Sequence, residues 1–188
     1  PTDMGVNMAG NCIFDDEAVS DASRREIVRR YYQAMCDLRT GRGEESAVAK
    51  IELLMNKAEI TVDINPTVAA SLRKAEETGM PAVAIELSDG QVITGKTSSL
   101  LGASSAALLN ALKVLAGLDD SLHLIAPEVI EPIQHLKISH LGNHTPRLHT
   151  DETLIALSIS AVTDPNAERA MEHLAELSGC DAHSTVIL

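Results

Sequence analysis

The sequence predicts a mixed α/β protein, with a mainly helical subdomain over residues 1–79 and a three-layer α/β/α subdomain over residues 80–188. Three observations carry this expectation. Three helical segments, two of them with start signals, follow one another before residue 80. Val83-Ala84-Ile85-Glu86-Leu87 and Gln91-Val92-Ile93-Thr94-Gly95 then flank Asp89-Gly90, a strong hairpin signal because both turn residues tolerate positive φ. Residues 98–116 are rich in Leu and Ala, with one lysine and no acid, which places that helix inside a domain against the hairpin.

Residues 1–14, with Asp3, Asn7, Asn11, Gly5 and Gly10, read as an ordered loop. Asp15-Asp16-Glu17 opens a helix, since acids suit its positive end, and the helix runs to about Arg39. Val19, Ala22, Ile27, Tyr31, Met35 and Leu38 recur at spacings of three to five and form one stripe. Arg24, Arg25, Arg29 and Arg30 read as a solvated face that pairs with nearby acids. Residues 40–43 break the chain, and a second helix spans about 45–57. Asn65-Pro66 starts a third, with Asn as N-cap and Pro at the first position, and Gly79 ends it.

After the hairpin and the Leu/Ala helix, Leu122-His123-Leu124-Ile125 reads as a short buried strand. Pro127 starts a helix to about Ser139, with Pro132 early enough to be tolerated. Residues 141–149 form a loop with Gly142, Asn143 and Pro146. Thr150 caps the next helix, Asp164-Pro165 starts another, and residues 184–188 form the last strand. Strands separated by helices need crossovers, so the later strands are expected to lie parallel.

Composition narrows the function. Of 188 residues, 45% are hydrophobic, enough for a sizeable core, and only 2% are aromatic, so that core is built from aliphatic side chains. The net charge of −12 repels phosphate backbones and argues against nucleic-acid binding. No apolar run reaches membrane-spanning length. Cys12, Cys36 and Cys180 are too few and too widely spaced for a disulfide framework, which fits a reducing cytoplasm. The chain starts at Pro1 without a Met and stops in an apolar run, as expected of a segment of a longer protein.

Gly90-Gln91-Val92-Ile93-Thr94-Gly95-Lys96-Thr97 carries the letters of a phosphate-cradling loop. Its inner residues prefer extended backbone, however, and the Asp-Gly turn sends them back along the first strand, so a hairpin is expected. Lys96, Thr97 and Ser98 remain candidates for anion contact, because they fall where a strand meets a helix N-terminus. A second cluster comprises His135, His140, Asn143, His144, Arg147, His149, Asp151 and Glu152. Arg147 and His149 are its candidate binding pair, since an Arg fork grips carboxylate or phosphate. The spacing shows no closed metal-ligand set, and no metal or other cofactor is expected. His183-Ser184-Thr185 is a weaker candidate, with no nucleophile elbow to support it.

The hairpin, the Ser/Ala/Leu helix and the strand-Pro-helix that follows resemble the core of cytidine deaminases over residues 82 to about 138. That topology is expected without its zinc ligands. Where those enzymes carry His or Cys before Ala-Glu, this chain has Ser104-Ser105-Ala106-Ala107. Where they carry Pro-Cys-x-x-Cys, it has Pro127-Glu128-Val129-Ile130-Glu131.

Three strings together, Pro1-Thr2-Asp3-Met4-Gly5-Val6-Asn7, Ala84-Ile85-Glu86-Leu87 through Thr94-Gly95-Lys96, and Pro146-Arg147-Leu148-His149 with Ala182-His183-Ser184-Thr185-Val186, resemble an uncharacterised bacterial family, domain of unknown function 1846. The resemblance covers the whole chain and implies the C-terminal portion of a larger protein. It brings no reaction with it. The expected role is a cytoplasmic module that binds a small anion or metabolite and supports assembly of a homo-oligomer. Lys96, Thr97, Ser98, Arg147, His149, Asp3 and Asn7 are its candidate ligand residues. The alternatives are part of a nucleotide-dependent hydrolase or transferase completed by the N-terminal region, and a purely structural module.

Overall fold

The computed structural model describes residues 15–187. Its contacts divide the chain into two compact units, residues 1–65 and 66–188.

In the first unit, helix α1 (Asp16–Arg39) starts where Asp15 Oδ1 accepts from the Ala18 amide at 2.9 Å. It packs against α2 (Glu45–Lys57) and against a 3-10 turn at Val62–Ile64. Val28 is its fully buried residue, whereas Val19, expected in the apolar stripe, is exposed. Arg29 and Arg30 both bond Glu26, at 2.8 and 2.9 Å, as expected of a solvated arginine face. Asn65 does not act as a side-chain cap: its buried Oδ1 has no hydrogen-bond partner among the described residues.

The second unit begins with α3 (Pro66–Thr78), which packs on the strands that follow it. The expected boundary at 79/80 lies one helix further along than this division. Strands β1 (Ala82–Glu86) and β2 (Val92–Lys96) form the antiparallel hairpin, pairing Ala82 with Lys96 and Glu86 with Val92. The connection is a three-residue loop, not the two-residue turn implied by Asp-Gly. Gly90 N donates to Leu87 O and Leu87 N to Gln91 O, and Gly90 alone of the turn residues has positive φ, at 84°.

Helix α4 (Ala103–Leu115) covers one face of the hairpin: Val83 and Ile85 pack on Ala103 and Ala107. Strand side chains alternate, so the fully buried Ala82 and Ala84 point to the other face, where α3 lies. The expected start of α4 at residue 98 is five residues early. Ser98 Oγ accepts from the Leu100 and Leu101 amides and turns that segment into a loop.

Beyond α4 come α5 (Pro127–His135), a π-helical turn (Leu136–His140), α6 (Thr150–Ser160), α7 (Pro165–Glu172), a 3-10 turn (Leu174–Leu177) and β3 (Asp181–Ser184). The core here joins Leu109 and Leu112 to Leu124, Ile125, Ile130, Leu148 and Leu157. Leu124 and Ile125 are therefore buried as expected, but Leu122 and His123 are exposed and the segment is not a strand. The expectation of parallel later strands is also overturned. β3 pairs antiparallel with β1, matching Val83 with Ser184, and the sheet order is β2-β1-β3. The last strand ends at Ser184, after which Thr185 Oγ1 accepts from the Ala82 amide at 3.0 Å. The fold is mixed α/β with a small antiparallel sheet. The parallel crossover strand on which a deaminase-like core depends is not formed among the described residues.

Candidate functional site

Two loops meet beside the start of α4. The segment after β2 runs from Thr97 to Gly102, and the segment before α6 runs from Asn143 to His149. Arg147 Nε donates to Ser98 O at 2.8 Å. Leu148 N donates to Leu100 O at 2.8 Å, and Leu148 O accepts from Gly102 N and from Ser105 Oγ, both at 3.0 Å. Leu101 and Leu148 thus form an isolated parallel bridge that joins the two loops. The buried Leu148 side chain anchors this joint in the core.

The joint places two helix N-termini around one cavity of about 460 Å³, whose walls include Ser104, Ser105, His149, Thr150, Asp151 and Ile187. Gly102 caps α4 with no side-chain hydrogen bond, so the first amides of that helix keep their donors. Ser104 Oγ is buried there without a partner among the described residues. Exposed amide donors and a helix dipole favour negative charge. His149, not the expected Thr150, is the N-cap of α6, and its amide donates to Glu152 Oε2 at 2.8 Å.

Beneath the second loop, Lys137 Nζ donates to Arg147 O and to Glu152 Oε2, each at 2.6 Å. Burial works against the Glu152 charge, yet the bonds from Lys137 and from the His149 amide hold its pKa below the usual glutamate value.

The structure brings Ser98, Arg147 and His149 into this one joint. Thr97 is buried, and its amide donates to Pro81 O at 2.8 Å. Lys96 is exposed at the end of β2, opposite Ala82 in the register, and no contact joins it to Arg147 or His149 among the described residues. Asp3 and Asn7 lie outside the described residues. The phosphate-loop letters are carried by strand β2, whose backbone is paired with β1. Among the described residues no three His, Cys, Asp or Glu side chains stand together to hold a metal ion. Ser184 Oγ donates to Val186 O at 2.7 Å, and burial lowers the pKa of His183.

Sequence reasoning missed Lys137 and the cavity role of Ser104. A lysine flanked by Leu136 and Ile138 was the available signal for the first, and Gly102-Ala103-Ser104-Ser105 at a helix start for the second. A further cavity of about 320 Å³, between α4 and residues 122–130, has apolar walls for the most part. Its Asn110 Nδ2 donates to Thr94 O and its Lys113 Nζ to Asp120 O.

Two family models match this sequence: domain of unknown function DUF1846, N-terminal, over residues 1–59, and domain of unknown function DUF1846, C-terminal, over residues 63–188. The UPF0371 protein SpyM50764 of Streptococcus pyogenes serotype M5 is 54% identical over 188 residues. The UPF0371 protein stu1377 of Streptococcus thermophilus is 55% identical over the same length. Each alignment covers 100% of this chain and 38% of the relative, so the chain spans well under half the length of the curated relatives it matches.

Proposed function

The chain belongs to the DUF1846 family, whose function is unassigned, and from that premise we propose that residues 66–188 bind a small anion in the cavity between the starts of α4 and α6. One observation carries the reading: the uncapped first turn of α4 opens on the cavity together with the start of a second helix. Ser104 Oγ and His149 add hydrogen-bonding capacity to the same walls. Asp151 adds an acceptor, so the fitting ligand carries a hydroxyl or ammonium group beside its anionic head. Arg147, held by Ser98 O, fixes the loop and does not itself line the cavity.

Gly102→Asp tests this reading. The residue has extended backbone, and a Cβ there meets only Leu148 O, at 3.6 Å, an ordinary contact. The new carboxylate caps α4 and occupies the donors an anion would use. The variant is expected to keep or gain stability, by a few tenths of a kcal/mol. Calorimetric titration with inorganic phosphate should give heat for wild type and none for Gly102→Asp. Equal binding by both proteins, or no binding by wild type, refutes the site.

A second role, in assembly of a larger homo-oligomer, is favoured by α6 and the turn after it. Ile155, Ile159 and Val162 follow one helical stripe and are 58%, 51% and 82% exposed. Free Cys36 and Cys180 support a reducing, cytoplasmic setting for both roles. Among the described residues no helix is long and apolar enough to cross a membrane.

A further inference from the structure

Lys137 is buried where its neighbours are not. It is 1% exposed, while Leu136 and Ile138 are 48% and 42% exposed. This inverts the order that hydropathy alone would impose. The π-helical turn at Leu136–His140 produces the inversion, since a wider turn shifts the face on which each side chain emerges. The turn follows Pro132, which removes a backbone donor from α5. Taking an ammonium out of water is unfavourable, and an apolar side chain of similar volume often stabilises such a place as well or better. Stability alone therefore gives no reason for a lysine here.

Its contacts give one. Lys137 Nζ reaches Arg147 O and Glu152 Oε2, and the same Glu152 oxygen receives the His149 amide. Arg147 in turn holds Ser98 O. The backbone adds a further tie, because Asn143 N donates to Lys137 O at 2.9 Å. One buried ammonium thus connects the π turn, the loop before α6 and the first turn of α6. Two residues on either side of these bonds, His149 and Asp151, line the cavity.

We propose that Lys137 is a positioning residue of the anion site. Through Arg147 O and Glu152 it sets where the His149 side chain and the start of α6 stand relative to the amides of α4. The proposal rests on the anion-binding reading given above. It assigns specificity to a side chain that does not touch the ligand, because binding groups act only when their supports hold them within a fraction of an ångström.

The decisive variant replaces both partners, Lys137→Met with Glu152→Met, which leaves no unpaired buried charge. The 188-residue protein and this variant are compared by thermal melting, by phosphate titration and by NMR of the assigned His149 imidazole. The variant is expected to melt close to wild type but to bind phosphate about tenfold or more weakly, the scale on which removal of an outer partner acts. The His149 resonances should shift or broaden in the absence of phosphate. Lys137→Gln, whose amide can still donate to Arg147 O and Glu152, serves as the conservative rescue and the safeguard against misfolding. It is expected to recover most of the affinity. Wild-type affinity and unshifted His149 signals in the double variant overturn the role of Lys137 alone, as does a Lys137→Gln protein as impaired as the double variant. No phosphate binding by wild type overturns the site and the positioning role together.

Discussion

One oxygen of Glu152 receives two donors, the Lys137 ammonium and the His149 amide. This charge-assisted pair outweighs the burial that opposes the carboxylate, so its folded-state pKa lies below the unfolded one. The sign of the pH dependence follows. Glu152 contributes stability above the ordinary glutamate value near 4.5, and that contribution is lost as pH falls through the folded-state pKa. Glu152→Gln should therefore melt below wild type at neutral pH. The gap should narrow on acidification, as measured by thermal melts across a pH series. A gap that is constant with pH would show that the pair does not govern this region. The sequence pointed to Thr150 as the cap, one residue late, so the His149 amide contact with Glu152 was not anticipated. The Lys137 contact spans 15 positions and depends on a π turn that no short motif announces.

At the scale of elements, Gly95 decides how α4 sits on the sheet. A Cβ there would stand 2.0 Å from Ala107 N and 2.5 Å from Ala107 Cα, both backbone atoms of the helix. The glycine in the phosphate-loop letters therefore serves close backbone packing. Gly95→Ala is expected to cost about 3 kcal/mol or more, because the helix must move as a body. Urea denaturation checks this, and a loss under about 1 kcal/mol would mean that α4 shifts freely. Helices α1 and α3 were legible almost to the residue, as was the start of α7, since Asp15, Asn65-Pro66 and Asp164-Pro165 sit at those starts. Residues 122–125 misled because a short apolar run has the same pattern in a buried strand and in a buried coil. Burial was correct for Leu124 and Ile125 only, and the free edge of β1 is taken by β3.

At the scale of the molecule, the apolar stripe of α6 is left uncovered among the described residues. Ile155→Glu with Ile159→Glu places two charges on it and should lower the subunit number read by native mass spectrometry of the full-length protein, with unchanged helicity by circular dichroism. An unchanged subunit number would remove α6 from the assembly reading. By itself the sequence determined the family, the aliphatic core, the starts of α1, α3, α5 and α7 and the existence of the hairpin, because each of these rests on neighbouring residues or on composition. Tertiary structure alone decided that the sheet is wholly antiparallel, that α3 packs on it, and that the loops at 97–102 and 143–149 close around one cavity. These depend on which distant segments compete for the same sheet edge and the same buried space, and no local pattern encodes the winner.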